Sequence, residues 1–193
     1  MTHAKTLWLA RLCLLLSVAG AAYAQAFSIV RLQRLLQDAP HADVRFTELR
    51  ESRWLAAPIE SSGTLRSTPT MLEKRVDQPT RETWRILSDR MQFGAPGSAG
   101  AREIMLDEAP AAAALAQTLR HVMAGDLEAL NKDFELELSG DERAWTLQLM
   151  PRQAEVARQL KRIVLQGVGR RLSVMVILET QGDRTTTRLF YAD

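Results

Sequence analysis

Two histidines, a serine pair and two glutamates are the residues of this chain best suited to acid, base or nucleophilic chemistry, and their settings argue against it. Beyond the first few residues, His41 and His121 are the only histidines. Histidine titrates near neutrality and acts as a base or ligand only beside a placed partner, and neither of these lies in a metal or nucleophile motif. Ser61-Ser62-Gly63 lacks the Gly-x-Ser-x-Gly turn that exposes a nucleophilic serine. Glu135 and Glu137 alternate with Phe134, Leu136 and Leu138, so a strand puts both carboxylates together on its solvent side and not at the two flanks of a substrate. These settings predict a protein that is not an enzyme, with no catalytic residue, no metal and no cofactor.

Large apolar side chains in regular patterns are more prominent. Trp54, Trp84 and Trp145 fall on three separate expected strands, and an indole offers a broad apolar surface with a single donor, suited to lining a cavity or filling a core. Leu115, Leu119, Val122 and Met123 recur on one side of an expected helix, as the underside of a lid or as a packed face. Lys74 lies between Leu72 and Val76 on an alternating run, where it would be solvated or would meet an anionic headgroup at a cavity mouth. The stretch IESSGTLRSTPTMLEKRVDQP at 59–79 adds a question. Its face of Ile59, Ser61, Gly63 and Leu65 is apolar but too small to fill a core alone, so the elements around it must say what it covers.

Those elements begin after an export segment. The N-terminus carries Lys5 and Arg11, an apolar run from Leu12 to Val18, and Ala22-Tyr23-Ala24, the small-residue pattern of a signal peptidase site. Cleavage is expected before Gln25, giving a signal peptide over 1–24 and one exported domain over 25–193. The apolar run is shorter than the roughly 20 residues of a spanning helix. The chain has 25 basic and 23 acidic residues; removing Lys5 and Arg11 leaves 23 of each. A domain without net charge lacks the basic surface that nucleic acid binding requires. The one cysteine, Cys13, lies in the export segment, so the mature domain has no disulfide, thiol nucleophile or thiolate ligand.

Past the cleavage site, spacings of three and four predict a helix over 26–39, stopped by Pro40. The period then changes to two. Strands are expected from Val44, at 59–66, 71–77, 83–87 and 91–93, and at 102–106 after a Gly/Pro-rich stretch at 94–100. A helix follows from Pro110 to a stop at Gly125, and a shorter one capped by Asp126. Strands return at 134–138 and 145–149, Pro151 is expected to open a short helix carrying Val156, Ala157 and Leu160, and three strands finish the chain. About ten strands without regular strand–helix alternation imply an α+β fold, an antiparallel sheet with its helices on one side. Such a sheet, strongly curved, either packs its own interior or leaves room for a ligand.

The order of these segments resembles the LolA family of periplasmic outer-membrane lipoprotein carriers. The resemblance runs through Val44-Arg45-Phe46-Thr47, Glu60 to Leu65, the strand ending Asp77-Gln78-Pro79, Ile86 to Arg90, Gly125-Asp126, Phe134 to Leu138, Trp145 to Arg152 and Gly182-Asp183-Arg184. It implies an incomplete antiparallel β-barrel with helices as a lid over a hydrophobic cavity. On such a fold the ligand-binding residues would be Phe46, Ile59, Leu65, Leu72, Trp84, Ile86, Leu115, Leu119, Met123, Trp145 and Leu147, with Lys74 as a possible headgroup contact. The implied function is a monomeric carrier that takes a lipoprotein or other acyl-bearing amphiphile from an inner-membrane exporter to an outer-membrane acceptor. The alternative on the same fold is a periplasmic lipid-sensing or scaffold domain that binds a partner without transport. Two departures stand out: Thr68-Pro69 replaces the family's frequent Arg-Pro, with Arg66 two residues upstream, and Lys74 stands where an aromatic is frequent. The missing Arg-Pro latch predicts a mobile lid helix.

Overall fold

The structure, a computed structural model, describes residues 27–38, 43–68, 70–95 and 101–191. Residues 1–24, read above as a signal peptide, and His41 lie outside them. Eleven strands form one antiparallel sheet: β1 (Val44–Glu51), β2 (Ile59–Ser67), β3 (Leu72–Gln78), β4 (Glu82–Ile86), β5 (Arg90–Gly94), β6 (Arg102–Met105), β7 (Phe134–Gly140), β8 (Trp145–Pro151), β9 (Leu160–Val168), β10 (Arg171–Glu179) and β11 (Arg184–Tyr191). Their order across the sheet is β6-β5-β4-β3-β2-β1-β11-β10-β9-β8-β7. Every neighbour is thus a sequence neighbour except β1 and β11, whose pairing from Val44↔Tyr191 to Glu51↔Arg184 joins the first and last strands.

Four helices lie among the described residues: α1 (Ile29–Gln37), α2 (Pro110–Met123), α3 (Leu127–Asp133) and α4 (Ala154–Ala157). Ser28 caps α1, accepting from the Arg31 amide at 3.3 Å, and Leu32 and Leu36, one turn apart, are the residues it buries. Asp126 caps α3 through the Ala129 amide. The helices pack on the sheet face that carries Phe46, Leu65, Phe134, Leu147, Leu149, Ile163 and Leu165, forming one continuous core with Val122, Leu130 and Val156. The opposite face carries the other members of each alternation, Glu135 and Glu137 among them, both exposed.

The sheet must curve to make this core. Trp84 on β4 and Ile177 on β10 border one small cavity, yet five ladders separate their strands in the order above. At about 4.8 Å between neighbouring strands, a flat sheet would hold them more than 20 Å apart. The result is an incomplete barrel, with β6 and β7 as its unpaired edges.

Three local expectations change. Trp54 lies on the β1–β2 loop, not on a strand, and is 75% exposed, with the Arg53 guanidinium 4.7 Å from its ring centroid. Pro151 is the last residue of β8, paired with Phe134; the short helix begins three residues later. Leu160, expected on that helix, opens β9.

Candidate functional site

α2 is set by its ends. Pro110 occupies its first turn, where the missing N–H costs nothing. At the other end the Asp126 amide donates to the His121 carbonyl (2.8 Å) and the Gly125 amide to that of Val122 (3.1 Å), a Schellman turn made possible by the φ of 69° at Gly125. Between these stops Ala112, Leu115, Ala116 and Leu119 share the face toward the sheet at helical spacing. Two of the four are alanines, so the helix does not fill the space beneath it.

A cavity of about 300 Å³ remains there. Its walls are Leu65, Trp84, Ile86, Met91, Met175 and Ile177 from the sheet and the four α2 residues above. The Trp84 ring is held as a wall, stacked on Phe93 at 4.7 Å and donating its N–H to Glu82 Oε2 at 2.8 Å. One end is polar, with Glu48, Lys74, Thr185 and Thr187. There Lys74 Nζ donates to both Glu48 carboxylate oxygens, each at 2.8 Å. The Thr187 hydroxyl donates to Glu48 Oε2 at 2.8 Å, and the Lys74 ammonium stands 4.8 Å from the Phe46 ring centroid. Lys74 reaches from β3 to β1 past Gly63, which pairs with Phe46 on one side and Val76 on the other and presents no side chain in the way. A side chain at Gly63 would also collide with the Arg75 carbonyl.

The structure brings together Leu65, Trp84, Ile86, Leu115, Leu119 and Lys74 of the residues read from the sequence. Phe46, Leu72, Trp145 and Leu147 lie instead in the close-packed core. Trp145 fits against Gly167 and donates to the Gly169 carbonyl at 3.0 Å. Ile59 is 43% exposed, and Met123, in the last turn of α2, packs against the core. Of the small face at 59–65, Leu65 is the member that borders the cavity. Sequence reasoning missed Met91, Ala112, Ala116, Met175 and Ile177, and the polar set Glu48, Thr185 and Thr187.

A second hollow, of about 670 Å³, opens mostly among strand residues that alternate away from the core, Thr47, Leu49, Glu51, Glu60, Ser62, Arg184 and Arg188, and Glu48 borders it as well. It is larger, but Glu51, Glu60, Arg184 and Arg188 make its walls more polar than those of the cavity under α2, and an acyl chain there would desolvate charged groups. The smaller cavity under α2 is the better candidate for an apolar ligand.

Over residues 19–192 the sequence matches the family of LolA-like outer membrane lipoprotein carrier proteins. The chain belongs to this LolA-like family. No curated protein matches it. Similar solved structures include a LolA superfamily protein from Nitrosomonas europaea, with 10% identity over 87% of this chain and 93% of that one and a TM-score of 0.45. Another, described as an outer membrane lipoprotein-sorting protein domain from Vibrio parahaemolyticus, has 12% identity, coverage of 83% and 88%, and a TM-score of 0.43.

In this LolA-like chain the lid helix is tied down by glutamine. Gln117 Nε2 donates to the carbonyls of Leu87 (2.9 Å) and Ser88 (3.0 Å) on the β4–β5 turn, while its oxygen accepts from Arg120 Nε at 2.6 Å. Arg66 makes a two-pronged pair with Asp43, at 2.8 and 2.6 Å, on the surface. His121 lies between Arg120 (3.2 Å) and Asp126 (3.2 Å); burial, and then the Arg120 charge, push its pKa down despite the opposing pull of Asp126. Among the described residues, no three metal-capable side chains gather.

Proposed function

We propose that this protein is a periplasmic carrier. An N-terminal signal peptide, residues 1–24, exports it, and the domain from Gln25 shelters acyl chains of a lipoprotein or another lipid amphiphile beneath α2. It receives them from an inner-membrane exporter and passes them to an outer-membrane acceptor, as a monomer and without catalysis or cofactor. Membership of the carrier family supports the cargo class, and the observation that carries the reading is the apolar cavity closed by α2. About 150 Å³ is enough to hold a benzene-sized ligand, so the 300 Å³ found here suits one chain of about a dozen carbons. Each methylene withdrawn from water contributes about 0.8 kcal/mol. Loose aliphatic contacts of this kind hold a chain without outcompeting a bilayer, as delivery requires. Among the described residues no helix is long and apolar enough to cross a membrane.

Transfer between vesicles tests the proposal. With donor vesicles containing a fluorescent N-acyl lipid and unlabelled acceptors, a carrier raises the transfer rate in proportion to protein concentration. A sensing or scaffold domain binds the lipid and leaves that rate unchanged; a chain that neither binds nor transfers it is not a lipid-handling protein.

A further inference from the structure

Glu48 and Lys74 place two opposite charges at the polar end of a mostly apolar cavity. A lysine alone in that position would attract anionic lipids. This lysine is already neutralised: both carboxylate oxygens of Glu48 lie 2.8 Å from its nitrogen, and the side chains are only 21% and 20% exposed, so water screens the pair weakly. Building on the cavity as an acyl-chain site, we propose that the pair selects acyl chains with an uncharged hydrogen-bonding head, an amide, ester or alcohol, and rejects free fatty acids. Glu48 is the specificity-determining residue.

The hydrogen-bond inventory supports this choice of head. An ammonium has three donors and a carboxylate about four acceptor sites. Lys74 spends two donors on Glu48, and Glu48 accepts these two bonds and one from Thr187. By this count one donor and one acceptor are left at the polar end of the cavity, which Thr185 also borders. An amide presents a carbonyl and an N–H and satisfies both; an ester satisfies the donor. A carboxylate also satisfies the donor, but it brings a second negative charge against Glu48 in a poorly screened site. Discrimination by repulsion, and not by attraction alone, is how an apolar cavity can tell heads apart when the chains are identical.

The test uses the exported chain loaded with an uncharged naphthylamine fluorophore and displaced at neutral pH by dodecanamide, methyl dodecanoate or dodecanoic acid. The wild type should prefer the amide and the ester over the acid by about tenfold or more. Glu48→Gln keeps the shape and frees the lysine charge, so the acid should gain about tenfold relative to the amide. The double variant Glu48→Gln with Lys74→Gln should lose that gain, which separates the charge effect from simple exclusion of ions by an apolar site. Glu48→Ala makes the same charge change if the glutamine variant does not fold. An unchanged acid-to-amide ratio in the Glu48 variants, or equal affinities in the wild type, overturns the proposal. Failure of the fluorophore and all three ligands to bind instead removes the acyl-chain site itself, and this inference with it.

Discussion

Gln117 on the lid helix donates to the carbonyl of Leu87 in the β4–β5 turn, 2.9 Å away, so one side-chain amide ties α2 to the sheet beside the cavity it covers. The Ser88 carbonyl takes its other N–H, and no other side-chain hydrogen bond links α2 to β4 or β5 among the described residues. Replacing Gln117 by alanine should loosen the lid by about 1 kcal/mol. Amide exchange along Ala112–Val122 should then become several-fold faster with β8 unchanged, and a bound apolar probe should dissociate faster. Unchanged exchange in the helix would mean that its packing, and not this anchor, keeps it closed.

A pH effect follows from His121. Its pKa is pushed below the ordinary 6.5, chiefly by burial, so the folded state resists the proton that the unfolded chain accepts. Stability is fully present above about 6.5 and falls as pH drops through that value toward the lowered folded pKa. Urea titrations from neutral to mildly acidic pH should show this loss, and His121→Gln should flatten it. An equally steep decline in the variant would assign the effect to other groups.

Two glycines of neighbouring sequence should respond differently to alanine. At Gly167 a methyl group would enter the Trp145 ring, which is 2% exposed and cannot swing out, so Gly167→Ala should cost about 1–3 kcal/mol. Gly169 has open space but a φ of +55°, leaving backbone strain alone, about 1 kcal/mol. Chemical denaturation monitored by tryptophan fluorescence ranks the two, and a larger loss at Gly169 would contradict the packing of Trp145 described above.

Filling the cavity should separate binding from folding. Ala116→Phe projects a ring from α2 into the space beneath it, and ligand affinity should drop about tenfold or more while the melting temperature holds or rises. Loss of folding would indicate that the space is already filled.

Much of this architecture was legible because local signals agree. Pro110 and Gly125 bracket α2, Asp126 caps the next helix, and the alternation separates glutamates from leucines in β7 and Thr146 and Gln148 from leucines in β8. Trp54 misled because an isolated bulky aromatic has strand propensity whether or not a ladder forms around it, and Pro151 because a proline suits a helix start as well as a strand end. Alternation also shows which side chains share a face, but not whether that face meets a neighbour or a gap. Phe46 and Leu65 look alike in sequence, yet one lies under the Lys74 ammonium and the other borders the cavity. Met175, Ile177 and Thr187 reach the site only because β11 closes on β1, a pairing with no local trace. For the same reason Lys74 read as a solitary cation: Glu48, 26 residues away, becomes its partner once β2 lies between them with no side chain at Gly63.

The central claim is that an acyl chain lies between α2 and the sheet. Methyl-labelled methionine resonances test it directly, since Met91 and Met175 border the cavity while Met150, paired with Glu135 on the opposite sheet face, serves as an internal control. Titration with dodecanamide should shift the Met91 and Met175 signals together, to a common saturation, and leave Met150 in place. Shifts confined to Met150, or none at all despite measurable binding, would place the ligand elsewhere and contradict the account.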